Sequence, residues 1–248
     1  MRLPRLPDRD TLAGTQQPPV TLPSAFVHYL RTIGGASGIA AGLCYSSFVL
    51  AGPLGSRLDP LNSFVSELEV RGQPGSGFFR LSDAMAGFLV LLLAVIVRYT
   101  RPVEGRPVGA GCFFLACAGS ASILDAANPM PCTPSTDSAC RRLQDTPDLF
   151  AQLHQNHTVS SVLGVTATLA GMLLLGAGSV AGTGALNRAT RLLAVLIATL
   201  ACAQAWSTFS GGYGVGLLER TQVLLVSTWL VTLGYGLLAA QPRTREAR

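Results

Sequence analysis

Six stretches of this chain are apolar over about the length of a membrane span, and this constrains the fold more than any other feature. They lie between Arg31 and Arg57, Asp83 and Arg98, Arg106 and Asp125, His157 and Arg188, Arg191 and Glu219, and Arg220 and Arg243. A helix needs roughly 20 residues to cross the hydrocarbon core. Only the second run is short, and it must take in Leu81 to Asp83 to reach across. The chain carries 12% charged residues, where a soluble domain has about 25%, so lipid is the expected solvent. The expectation is an all-α integral membrane protein, a bundle of about six transmembrane helices with both termini cytoplasmic.

Three segments follow from this. Residues 1–30 are polar, hold Pro4, Pro7, Pro18 and Pro19 before Pro23, and lack the apolar core of a cleavable signal peptide. They are read as a disordered cytoplasmic tail ahead of a first helix that acts as an uncleaved signal anchor. Residues 31–241 form the transmembrane domain and 242–248 a second cytoplasmic tail. With this topology twelve of the 18 basic residues, all arginine, fall on the side of the termini, as cytoplasmic loops require. The arginines sit at loop ends and form no stripe or patch, so the net charge of +5 orients the chain and gives no reason to expect a nucleic-acid partner. The expected location is the plasma membrane, with the long loops near 53–80 and 128–153 outside.

Cysteine placement agrees. Cys132 and Cys140 fall in the second outer loop, where an oxidising exterior allows a disulfide. Cys44, Cys112, Cys117 and Cys202 lie within spans as small packing residues. Gly34, Gly38 and Gly42 recur every four residues, which lays a flat strip along one face for a close helix neighbour. That strip is also where a homo-oligomer would form. Gly164 and Gly171 repeat the device in the fourth span.

Ionisable groups at a span end are costly and invite a functional reading. Asp83 opens the second span, Asp125 ends the third, and His154 and His157 open the fourth. Alternating chain direction brings all four to one membrane depth. The two histidines are three apart and share a helix face. With Asp83 and Asp125 they make a candidate zinc site with a position open to water, whose nucleophile the metal would supply. In the structural alternative Asp83 caps its helix, Asp125 ends its own, and the histidines bond to loop carbonyls or to Asp125. In the first outer loop, Leu61, Phe64, Val65 and Leu68 recur at helical spacing around Ser66 and Glu67. This is a short interfacial helix able to cap the bundle mouth, with Glu67 facing water or the bundle. Trp206, Phe209 and Tyr213 fit an interfacial aromatic belt.

These elements together resemble a bacterial membrane family known as domain of unknown function 998. The resemblance covers roughly residues 30–240. Its Ser-Glu-Leu element is matched by Ser66-Glu67-Leu68, its Asp near a Pro by Asp125 with Pro129 or Pro131, and its His by His154 or His157. The chain departs from the family pattern at Glu69, where Gly is common, and the insertion around Cys132 and Cys140 is its own. The family is distantly similar to the six-helix Frag/DRAM/Sfk group, which implies lipid handling. It is more faintly similar to seven-helix zinc hydrolases of the alkaline ceramidase and adiponectin-receptor type. The candidate site is Ser66, Glu67, Asp83, Asp125, His154 and His157. Three functions are open: binding or organising lipid or a membrane partner through this cluster, metal-dependent hydrolysis of a lipid or lipid-linked substrate, and transport of a small solute. Against transport, the middle of the spans carries almost no charge.

Overall fold

A computed structural model describes residues 23–100, 106–144, 156–178, 184–211 and 213–239. Among them there is no strand. Six helices are long and apolar enough to cross a membrane: α1 (Ser24–Tyr45), α2 (Ser76–Thr100), α3 (Arg106–Ala127), α5 (Asn156–Ala177), α6 (Gly184–Phe209) and α7 (Val215–Ala239), with a short α4 (Ser138–Gln144) between the third and fourth spans. The chain is a multi-pass membrane protein.

Proline and glycine punctuate the helices. Pro23 precedes α1, and Pro107 is tolerated in the first turn of α3, where its missing N–H has no partner to lose. Gly75 and Gly214, both at positive φ, let the chain turn sharply into α2 and α7. The second span begins at Ser76, two turns before Asp83. Asp83 therefore cannot cap this helix, contrary to the structural reading of that residue. Arg80 is accommodated because it reaches the end of α3 and donates from Nε to the Ala126 carbonyl at 2.9 Å.

Each span packs on its chain neighbours, and the last closes on the first, so the six form a ring. Lipid gives no hydrophobic drive between helices, and close van der Waals contact has to hold them. Small residues supply it. A Cβ on Gly38 would sit 3.0 Å from the Leu230 carbonyl oxygen, and one on Gly42 2.6 Å from that of Ser227. The Gly38–Gly42 strip is thus occupied by α7 of the same chain. Gly87 and Gly119 bring α2 and α3 equally close, each placing a Cβ within 2.6 Å of the other's carbonyl oxygen. Gly171 packs on α3 near Gly111 and Leu115. The α6 helix is the least enclosed, with 11% of its apolar window buried against 33–44% in the other five, so it turns most of its surface to lipid.

The interior is divided along its length. Leu93, Val97, Leu115, Met172, Leu175, Ile197, Leu230, Leu233 and Leu237 form one apolar cluster in the half away from the two long loops. The loop end is polar and hollow. Residues 1–22, 145–155 and 240–248, which include most of the expected N-terminal tail, the expected C-terminal tail and His154, lie outside the described residues, whereas residues 24–30 of the expected N-terminal tail form the first turns of α1.

Candidate functional site

The hollow is closed by the first long loop, which is stitched to the start of α7. The Arg220 guanidinium donates to the carbonyls of Pro60 at 2.9 Å and Ser63 at 2.6 Å and lies over the Phe48 ring, 5.9 Å from its centroid. Leu217 N–H donates to the Leu61 carbonyl at 3.1 Å, and Gly214 N–H to Asn62 Oδ1 at 2.9 Å. Gly216 allows this contact, since a Cβ there would strike the carbonyls of Pro60 and Ser63. The amphipathic segment of the loop forms a 3₁₀ turn, Val65–Glu69, that caps the bundle mouth. Leu68 is buried in it against Phe48 and Phe79.

The two acids of this turn face different ways. Glu67 is fully buried and points to the second long loop. Its Oε1 accepts from Phe64 N–H at 2.9 Å, and its Oε2 accepts from Ser135 N–H at 3.1 Å and Ser135 Oγ at 2.5 Å. Arg141 secures the same loop by donating to the carbonyls of Pro134 and Ser135 at 2.9 and 3.0 Å. The Cys132–Cys140 disulfide is formed, with Cα atoms 6.0 Å apart. Glu67 thus ties one loop to the other and does not line the hollow.

The hollow is a cavity of about 230 Å³ lined by all six spans and the capping turn. At its loop end stand Ser66, Glu69, Asp83, Asp125, His157, Ser161 and Glu219. Asp125 is the hub. His157 Nδ1 lies 3.3 Å from its Oδ1, Ser161 Oγ donates to its Oδ2 at 3.2 Å, and Ser160 Oγ donates to its Oδ1. Glu219 Oε2 accepts from Val65 N–H at 2.7 Å, which fixes the capping turn to the cavity wall. Tyr45 and Ser122 share a hydrogen bond, as do Gln204 and Gln222. Ser66 Oγ donates to the Met130 sulfur at 3.3 Å. Deeper in, Ala118, Gly164, Val165, Thr168, Ile197 and Val226 make an apolar lower wall that meets the core cluster.

Glu69 is the electrostatic outlier. It is 8% exposed, lines the cavity, and its Oε2 has no hydrogen-bond partner among the described residues. Burial pushes its carboxyl up to about 7. The His157 charge opposes that rise, Asp125 and Glu219 add to it, and Arg80 opposes it.

Of the six residues picked from sequence, the structure brings Ser66, Asp83, Asp125 and His157 to one cavity. Glu67 stands behind it, and His154 lies outside the described residues. Glu69 and Glu219 were not among the six, although both lie at the rim of apolar runs. Gln204 and Gln222 were also missed, and an amide inside a membrane span was the signal that pointed to them. Among the described residues no three His, Cys, Asp or Glu side chains are grouped as metal ligands. The hydroxyls of Ser160 and Ser161 donate to Asp125, and Ser160 Oγ also lies within hydrogen-bonding distance of the His157 carbonyl at 3.1 Å.

A family model described as a protein of unknown function (DUF998) matches residues 39–236. No curated protein and no solved structure matches the chain.

Proposed function

The chain belongs to the DUF998 family of proteins of unknown function, and we propose that it binds a lipid-like amphiphile inside its helix ring. The observation that carries this is the division of the cavity. Titratable groups gather at the loop end, and an apolar wall continues from them into the bundle. A ligand with one polar and one apolar end is the complement of that division. At about 230 Å³ the cavity falls a little below the roughly 300–1,000 Å³ of drug-sized sites. It suits a head group and a short run of methylenes, not a whole two-chain lipid.

The apolar cluster beneath the cavity supports a site closed at its inner end over a through-path for solutes. The Cys132–Cys140 disulfide and the arginine bias support an orientation in the plasma membrane with the loop end outside and the termini in the cytoplasm. Ligand would then reach the cavity from the outer leaflet or the exterior.

The test is native mass spectrometry of the protein released from mild detergent, wild type beside Thr168→Phe. Thr168 lines the apolar wall, and a phenyl ring there fills the space a chain would take. A small amphiphile retained by the wild type and lost from the variant supports the reading. An equal lipid profile for both removes the cavity as the binding place.

A further inference from the structure

We propose that the head group selected by this cavity is an ammonium, so that the ligand class is a single-chain amine. This rests on the amphiphile-binding reading and adds its charge. Four carboxylates line the cavity, Glu69 from the capping turn, Asp83 from α2, Asp125 from α3 and Glu219 from α7. The cations nearby do not balance them. Arg80 is turned to the Ala126 carbonyl, Arg220 is held by the carbonyls of Pro60, Ser63 and Gly216, and neither lines the cavity. Among the described residues His157 is the one basic side chain on the wall, and it is engaged with Asp125.

The carboxylates differ in what they lack. Asp125 has the His157 ring and two hydroxyls, and Glu219 has a backbone N–H. Glu69 Oε2 has no partner among the described residues, although the residue is more than nine-tenths buried. A buried acceptor without a donor is costly, and a donor brought by a ligand would relieve it. An anionic head group brings no donor to Glu69 Oε2. A metal ion needs converging ligands, which the described residues do not group. An ammonium has no fixed coordination geometry, donates to separated carboxylates, and is attracted to aromatic faces. Tyr45, Phe48 and Phe79 line the same wall, and the apolar wall beneath takes the chain.

The experiment is calorimetric titration of the full chain in lipid nanodiscs, against empty nanodiscs, with decylamine, decanol and decanoate. These probes share ten carbons and differ in the head. The expected result is decylamine tighter than decanol by about tenfold, the size of one charge-assisted hydrogen bond, with decanoate weakest. Glu69→Gln, which keeps size and shape, should shrink the amine-to-alcohol ratio, whereas Thr168→Phe should weaken both probes together. Equal binding of decylamine and decanol, or preference for decanoate, overturns the ammonium assignment and leaves amphiphile binding standing. If none of the three binds above empty nanodiscs, the amphiphile-binding reading itself fails and takes the assignment with it.

Discussion

Replacing Glu67 by glutamine should loosen the whole cap while leaving the cavity wall chemically unchanged. The Glu67 carboxylate accepts three hydrogen bonds, two of them from the backbone N–H groups of Phe64 and Ser135, and no water reaches it, since the residue is fully buried. A glutamine amide has one acceptor oxygen. Whichever way it turns, its NH₂ faces one of those N–H donors, and a buried donor is left without an acceptor. That penalty is about 1–3 kcal/mol; taken as about 2 kcal/mol, it lowers Tm by roughly 4–8 °C for a chain of this size. Ser135→Ala removes the hydroxyl bond to Glu67 and the one that Ser63 Oγ donates to Ser135 Oγ, and should cost about 1.5–3 kcal/mol. The double variant should cost less than the sum, because the two changes act on one shared contact. Thermal unfolding of the detergent-purified protein, followed by the fluorescence of Trp206 and Trp229, measures all three. A Glu67→Gln protein that melts with the wild type, or additive effects in the double variant, would refute the bridging role.

Other outcomes follow from the same geometry. Reducing the Cys132–Cys140 bridge frees a loop with a sequence separation of 8, and loop entropy puts the loss at up to about 2.5 kcal/mol, readable as a drop in Tm under reductant that is absent in a Cys132→Ser/Cys140→Ser variant. Gly119→Leu should abolish a folded, monodisperse protein in size-exclusion chromatography, because even a Cβ would lie 2.6 Å from the Gly87 carbonyl oxygen. Gly164→Ala, which meets only the Ala121 methyl at 3.4 Å, should elute as wild type. The Glu69 carboxyl is raised from 4.5 to about 7 by burial, so the folded protein holds this proton where the unfolded chain has lost it. Its stabilising contribution is complete below pH 4.5 and is lost as pH rises to about 7. Arg80 and Asp83 on α2, Asp125 on α3, His157 on α5 and Glu219 on α7 act on the same carboxyl, so the readout is the difference between wild-type and Glu69→Gln melting curves across pH 4–8, which should be small near pH 4 and widen in favour of the variant as pH rises.

The spans and their depth were legible because charge is excluded from lipid whatever the tertiary packing. The same rule aligned Asp83, Asp125 and His157, and their shared cavity follows from helix direction alone. It failed at finer scale for physical reasons. Counting charges placed the start of the second span near Asp83, but Arg80 finds a carbonyl on the neighbouring helix, so an arginine is carried inside the helix and the span begins at Ser76. The Gly34, Gly38 and Gly42 strip announces a close neighbour without saying whose, and α7 of the same chain takes the place. Glu67 and Glu69 are two residues apart in a polar loop. Which of them faces the cavity depends on a 3₁₀ turn and on the Ser135 loop, neither of which has a local pattern. The polar partners Gln204 and Gln222 meet only when α6 and α7 pack side by side.

The central claim, that an amphiphile occupies the cavity with its head at the loop end, is tested most directly by an experimental density map of the protein in lipid nanodiscs at a resolution that shows bound lipid. The expected result is elongated density running from hydrogen-bonding distance of Glu69 Oε2 down to the wall formed by Thr168, Ile197 and Val226. A cavity holding only discrete waters beside Glu69, with the apolar wall collapsed upon itself, would contradict it.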